Sequence, residues 1–123
     1  MKSVLIVEDD NLLGKAISSS LESEGFSIFW ARKAEEVFEV FDAQDIGFVY
    51  LDILLPGEMD GYEILRKMKL DERLKKIPVV ILSNLGQKSE IDRAMQLGAV
   101  DYLVKANIDL AKLVELTKTK IAK

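Results

Sequence analysis

The chain has 123 residues, 49% of them apolar, and a net charge of −4 from 17 basic and 21 acidic side chains. That length suits one domain with a real hydrophobic core, and the composition argues against disorder and against a nucleic-acid footprint. With no Cys and no His, disulfides, thiol nucleophiles, Ser-His-Asp triads and zinc-type metal sites are excluded, so any metal must be held by oxygen.

Two kinds of segment alternate along the chain. Short apolar, β-branched runs occur at 3–7, 27–31, 47–51, 78–82 and 100–104. Longer amphipathic stretches follow each, at about 11–24, 33–42, 61–70, 89–97 and 108–122. In the first stretch Leu13, Ala16, Ile17 and Leu21 share one helical face; in the last, Leu110, Leu113, Val114, Thr117 and Ile121 do so. Asp10 or Asn11 can cap the first helix, Gly25 follows its end, and Gly98 stops the fourth. Pro78 suits the edge of the fourth strand. The run Ser3-Val4-Leu5-Ile6-Val7 is too short for a signal segment, and nothing is long enough to span a bilayer. Met1 is expected to be a true N-terminus, and the protein is expected to be cytoplasmic. The Lys-rich end (Lys118, Lys120, Lys123) reads as a complement to a helix dipole.

Five strands alternating with five helices predict an α/β fold, a doubly wound parallel sheet with helices on both faces. The flavodoxin-like (βα)5 order 2-1-3-4-5 is the expected topology. Ligands in such sheets bind beyond the carboxyl ends of the strands. There the chain carries Glu8, Asp9 and Asp10 after the first strand, Asp52 after the third, Ser83 and Asn84 after the fourth, and Lys105 after the fifth. Taken singly, each has an ordinary reading: helix cap, turn residue or solvated charge. Together they form an acidic cluster with one hydroxyl and one ammonium. Carboxylates so gathered repel unless a cation or proton intervenes, and Mg²⁺ suits a few carboxylates, waters and a phosphate oxygen. A carboxylate there can attack a phosphoryl donor, with metal and lysine neutralising the oxygens.

The pattern resembles the CheY-like receiver domains of two-component response regulators, over the whole chain as one domain, 1–123. The motifs are Leu5-Ile6-Val7-Glu8-Asp9-Asp10, Leu51-Asp52-Ile53-Leu54-Leu55-Pro56-Gly57, Asp60-Gly61-Tyr62-Glu63, Ile81-Leu82-Ser83 and Ala99-Val100-Asp101-Tyr102-Leu103-Val104-Lys105. The resemblance implies that Asp52 is the phosphoacceptor and that Asp9 ligates Mg²⁺ directly. Glu8 would act through water and Leu54 through its backbone carbonyl. It makes Ser83 and Tyr102 the switch pair and Lys105 the partner of the phosphoryl group, with Asp10 left as the helix cap. Phosphorylation would draw Ser83 inward, let Tyr102 turn in, and change the surface of the fourth helix, fifth strand and fifth helix. The implied partners are a sensor histidine kinase or phosphotransfer protein and a downstream protein target. No nucleic acid or membrane is expected to bind directly, and the state is a monomer or a weak phosphorylation-dependent homodimer.

Three departures from the family pattern carry expectations. One extra residue in Pro56-Gly57-Glu58-Met59-Asp60-Gly61 should bulge outward. Ala106 replaces the usual proline after Lys105, so that peptide should be trans, since a non-proline cis bond costs about 2.5–4 kcal/mol. Asn84 either hydrogen-bonds in the site or crowds it. Leu54 and Leu85 are expected to restrict an attacking water, and Trp30 is expected to sit on the second strand away from the site. Two other readings compete: a haloacid-dehalogenase-like phosphohydrolase, for which Glu8 stands where the nucleophile belongs, and a pseudo-receiver used only for protein contact. A flavodoxin is disfavoured by acidic residues where FMN phosphate would sit.

Overall fold

A computed structural model describes residues 3–121. Met1, Lys2 and Lys123 lie outside the described residues, as does the expected extension of the last helix to Ala122. The elements in order are β1 (Ser3–Val7), α1 (Asn11–Glu22), β2 (Ile28–Ala31), α2 (Ala34–Ala43), β3 (Ile46–Asp52), α3 (Gly61–Leu70), β4 (Val79–Ser83), α4 (Lys88–Gln96), β5 (Asp101–Val104) and α5 (Leu110–Lys120). A short 3-10 turn, Lys105–Asn107, joins β5 to α5. The sheet order is β2-β1-β3-β4-β5, with every neighbouring pair parallel. This is the expected doubly wound arrangement.

Alternation along the strands divides the core in two. Leu5 and Val7 of β1, Val49 and Leu51 of β3 and Ile81 of β4 face α2, α3 and α4, with Val37, Phe41, Ile64, Leu65 and Met68. Val4, Ile6, Phe48, Tyr50, Val80 and Leu82 face α1 and α5, with Ile17, Leu21 and Leu113. All seven residues of β3 are buried, as a central parallel strand covered on both faces requires. A polar pair, Tyr50 and Thr117, enters this core. The Tyr50 hydroxyl donates to the Leu113 carbonyl at 3.0 Å and lies 2.7 Å from Thr117 Oγ1. Burial pushes the phenol well above its ordinary pKa, so it stays neutral.

The caps fix where the helices begin. Asp10 Oδ1 accepts from the N–H groups of Leu12 (2.9 Å) and Leu13 (3.2 Å), so Asp10, not Asn11, caps α1. Asp60 and Asp109 cap α3 and α5 in the same way. α5 begins two residues later than its apolar pattern suggested, because Asp109 supplies the cap. Gly25 and Gly98 take positive φ after α1 and α4, as expected for helix stops.

Gly61 sets the distance between α3 and the end of β3. Its N–H donates to the Ile53 carbonyl at 2.8 Å, and a Cβ there would stand 2.2 Å from the Asp52 carbonyl oxygen. The loop before it bends outward: Pro56, Gly57 and Glu58 are exposed, and Gly57 has φ of 96°. The extra residue is thus absorbed at the surface. Gly61→Ala should destabilise the fold by about 1–3 kcal/mol, the usual cost of overpacking. Urea unfolding of the two proteins measures this.

Candidate phosphoacceptor site

The parallel sheet brings the predicted residues to one edge. Glu8 directly follows β1, Asp52 and Ser83 end β3 and β4, and Lys105 directly follows β5. Asp52 and Ser83 are the last residues of their strands rather than loop residues, so their backbones are held by the sheet. Glu8 is fully buried, Asp52 and Ser83 nearly so, and Asp9 is exposed. Asn84 also is exposed and does not crowd the cluster.

Lys105 is the only cation drawn into the group among the described residues. Its Nζ lies 2.7 Å from Glu8 Oε1 and 2.9 Å from Asp52 Oδ2. The peptide after it is trans, since no described peptide is cis, and the ammonium still reaches Asp52. The lost proline therefore leaves the lysine geometry in place. Burial alone would lower the Lys105 pKa; Glu8 and Asp52 outweigh it and hold the ammonium above its ordinary value. Asp52 Oδ1 accepts from the Leu54 N–H at 3.1 Å. The Leu54 side chain itself points largely into solvent, 58% exposed.

Glu8, Asp9 and Asp52 each offer a carboxylate oxygen, all within 4.8 Å of one another. Three carboxylates face one ammonium, so the cluster carries surplus negative charge. Its effect is visible at Glu8, whose pKa rises from 4.5 to about 7 through burial first and then the neighbouring Asp52, with Lys105 opposing. An all-oxygen donor set with excess negative charge fits a hard divalent cation.

Ser83 Oγ accepts from the Leu85 N–H at 3.0 Å, which leaves its own hydroxyl hydrogen free to donate. The Tyr102 hydroxyl donates to the Leu85 carbonyl at 2.6 Å, and its half-buried ring packs against the first core. The aromatic ring expected to turn inward on phosphorylation is therefore already engaged with the loop after β4.

One expectation is corrected. Trp30 is on β2, but its Nε1–H donates to the Glu8 carbonyl oxygen at 2.9 Å, so the indole adjoins the acidic pair. Its position in a short strand gave no sign of this; the available hint was Gly14, where α1 lacks the side chain that would fill the indole's space.

Residues 4–118 match the family of response regulator receiver domains. The chain belongs to that family. It is 33% identical over 119 residues to a probable transcriptional regulator, ycf29, of Porphyra purpurea, covering 97% of this chain and 56% of the relative. The chain thus spans about half the length of that relative. A response regulator from Thermotoga maritima superposes with a TM-score of 0.85 at 28% identity, covering 100% of this chain and 99% of the other. The Mn²⁺-bound form of the response regulator Rcp1 superposes with a TM-score of 0.82 at 25% identity, over 97% and 93% of the two chains. It is a receiver domain of the two-component response-regulator kind, and neither the phosphohydrolase nor the flavodoxin reading has support. No described helix is long and apolar enough to cross a membrane.

The Glu8 shift has a defined sign. A carboxyl held above its ordinary value stabilises the fold fully below about pH 4.5, and that contribution is lost as pH rises toward about 7. The raised Lys105 acts only on the alkaline side. Metal-free protein should therefore lose stability between pH 4.5 and 7, and Glu8→Gln should flatten the slope in that window. Denaturant midpoints at a series of pH values in EDTA check this.

Proposed function

We propose that residues 1–123 act as one receiver unit in which Asp52 accepts a phosphoryl group from a sensor histidine kinase or phosphotransfer protein. The observation that carries this reading is the contact of Lys105 Nζ with Asp52 Oδ2 at 2.9 Å, beside Glu8 and Asp9. An Asp at a turn needs no such company.

In the proposed step an Asp52 carboxylate oxygen attacks phosphorus of a phosphohistidine. The O–P bond forms as the P–N bond breaks, and the imidazole departs. Lys105 moves its contact from the carboxylate to a phosphoryl oxygen. Asp9, Glu8, Asp52 and the Leu54 carbonyl are the residues that would hold Mg²⁺. When bound, Mg²⁺ neutralises carboxylate and phosphoryl charge in a reaction governed mostly by positioning and electrostatics. That the structurally similar response regulator Rcp1 has a Mn²⁺-bound form supports binding of a divalent ion. The domain assists its own phosphorylation and dephosphorylation but turns over no substrate of its own.

Ser83 then donates its free hydroxyl to the phosphoryl group. Because Leu85 binds both Ser83 Oγ and the Tyr102 hydroxyl, a displacement of Ser83 passes to Tyr102 through one residue. In this reading the inward Tyr102 is a state that phosphorylation makes dominant. The α4–β5–α5 surface then changes its affinity for a downstream protein, a local charge event biasing a two-state element. The setting is cytoplasmic, without direct contact to nucleic acid or membrane, as a monomer or weak phosphorylation-dependent homodimer.

Acetyl phosphate with Mg²⁺ should place one hydroxylamine-labile phosphoryl group on the protein, detected by intact mass. Asp52→Asn should acquire none; phosphate on that variant would refute the assignment. Lys105→Ala should slow incorporation by about 100-fold, the scale for removing one charge-stabilising donor. The family resemblance places the apolar residues Leu54 and Leu85 near the phosphoryl group. Leu54→Asn or Leu85→Asn should speed decay of the acyl phosphate several-fold, followed by loss of the mass-shifted species after donor removal.

A further inference from the structure

The acidic pair is held from behind by the chain's single tryptophan. Trp30 Nε1–H donates to the Glu8 carbonyl oxygen at 2.9 Å. On the other side of the same residue, the Glu8 N–H donates to the Ala31 carbonyl at 3.0 Å. The Glu8 carbonyl belongs to the same planar unit as the Asp9 N–H. A single hydrogen bond therefore fixes the plane from which both carboxylate-bearing residues project.

The indole is itself confined. A Cβ at Gly14 would stand 2.2 Å from Trp30 Cζ2, so the ring lies against bare backbone of α1. The Arg32 guanidinium carbon lies 4.2 Å from the ring centroid, a cation–π distance. That guanidinium also donates to the Asn11 side chain in the first turn of α1. Ring, helix and arginine leave the indole little freedom to swing. A half-buried Trp commonly finds some acceptor for its N–H. Here the acceptor is the peptide that joins the two acidic residues, and the facing helix carries glycine where the ring must fit.

We propose that Trp30 is a positioning residue for the divalent-cation site, orienting the Glu8–Asp9 peptide so that both carboxylates converge with Asp52. This inference rests on the reading of Glu8 and Asp9 as metal-site residues. Partners that orient metal ligands typically change affinity by about 10- to 100-fold when removed; a partner acting through the backbone belongs at the lower end.

The test replaces Trp30 with 3-benzothienylalanine, which keeps the ring's shape and exchanges the N–H for sulfur. Gly14→Ala is the second variant, which keeps the indole and displaces it. Free Mn²⁺ is followed by electron paramagnetic resonance, and thermal unfolding is recorded in EDTA. Both variants should bind Mn²⁺ about tenfold more weakly than the unaltered protein. The benzothienyl variant should unfold at the unaltered temperature in EDTA, a result that a merely structural role would not give alongside weaker binding. In the unaltered protein, the one indole ¹H–¹⁵N resonance should move on Mg²⁺ addition. Unchanged Mn²⁺ affinity in the benzothienyl variant, or an unmoved indole resonance in a protein that binds Mn²⁺, overturns the role of Trp30 and leaves the phosphoacceptor reading standing. Failure of the unaltered protein to bind Mn²⁺ overturns both.

Discussion

Two buried carboxylates sharing one ammonium set the terms for the whole carboxyl edge of this sheet. Glu8 and Asp52 both contact Lys105 Nζ, at 2.7 and 2.9 Å. Each charge is too deep to be left unpaired, since breaking such a buried pair leaves an uncompensated ion. The three residues come from three strand ends, so the contact also fixes β1, β3 and β5 relative to one another. The pairing is incomplete, because one cation faces two buried acids and the exposed Asp9 nearby. Burial first, and then the neighbouring Asp52, push the Glu8 carboxyl up to about 7. A site that is short of positive charge and rigidly framed attracts cations and is poised to respond when its charge changes.

Much of this was legible in the sequence because the physics involved is local or periodic. Near-continuous apolar runs such as Val79-Val80-Ile81-Leu82 demand a sheet buried on both faces, and right-handed crossovers then leave few orders. Once the order is known, residues at strand ends must converge, which is how Glu8, Asp52, Ser83 and Lys105 could be grouped without coordinates. What could not be read depends on side-chain reach across elements. Trp30 sits one strand away from Glu8, and only the packed structure reveals that its indole spans the gap. The turn Lys105–Asn107 was hidden because Ile108 extends the apolar pattern of α5, while the cap at Asp109 decides where the helix starts. Strand β3 runs one residue further than its apolar run because Asp52 is pinned in register opposite Leu82, which composition alone does not disclose.

The response elements follow from the same frame. Leu85 is bound on one side by Ser83 and on the other by Tyr102, so the loop between β4 and α4 has no slack near the site. At the other end of that region, the Tyr62 hydroxyl of α3 contacts the Glu90 carbonyl of α4 at 3.2 Å, and Arg93 lies 3.9 Å from the Tyr62 ring centroid. α4 otherwise buries only Ala94 within its span. It is thus a lightly packed helix whose polar ties lie before it and along it as far as Arg93, the kind of element that opens at low free-energy cost. β1, β3 and β4 are the opposite, buried except at Ser3, and give that helix a fixed floor.

The hydroxyl of Tyr50 adds a mechanical consequence. Tyr50 stands two residues before Asp52 on β3, and it reaches through the opposite core to Leu113 and Thr117 of α5. Water cannot replace those partners in a buried setting, so the bond is costly to break. The last helix is therefore tethered, inside the molecule, to the strand that ends in Asp52. Tension or torque along α5 reaches β3 directly through that contact, without passing through the connecting loops. In this sense α5 works as a lever whose short arm ends beside Asp52.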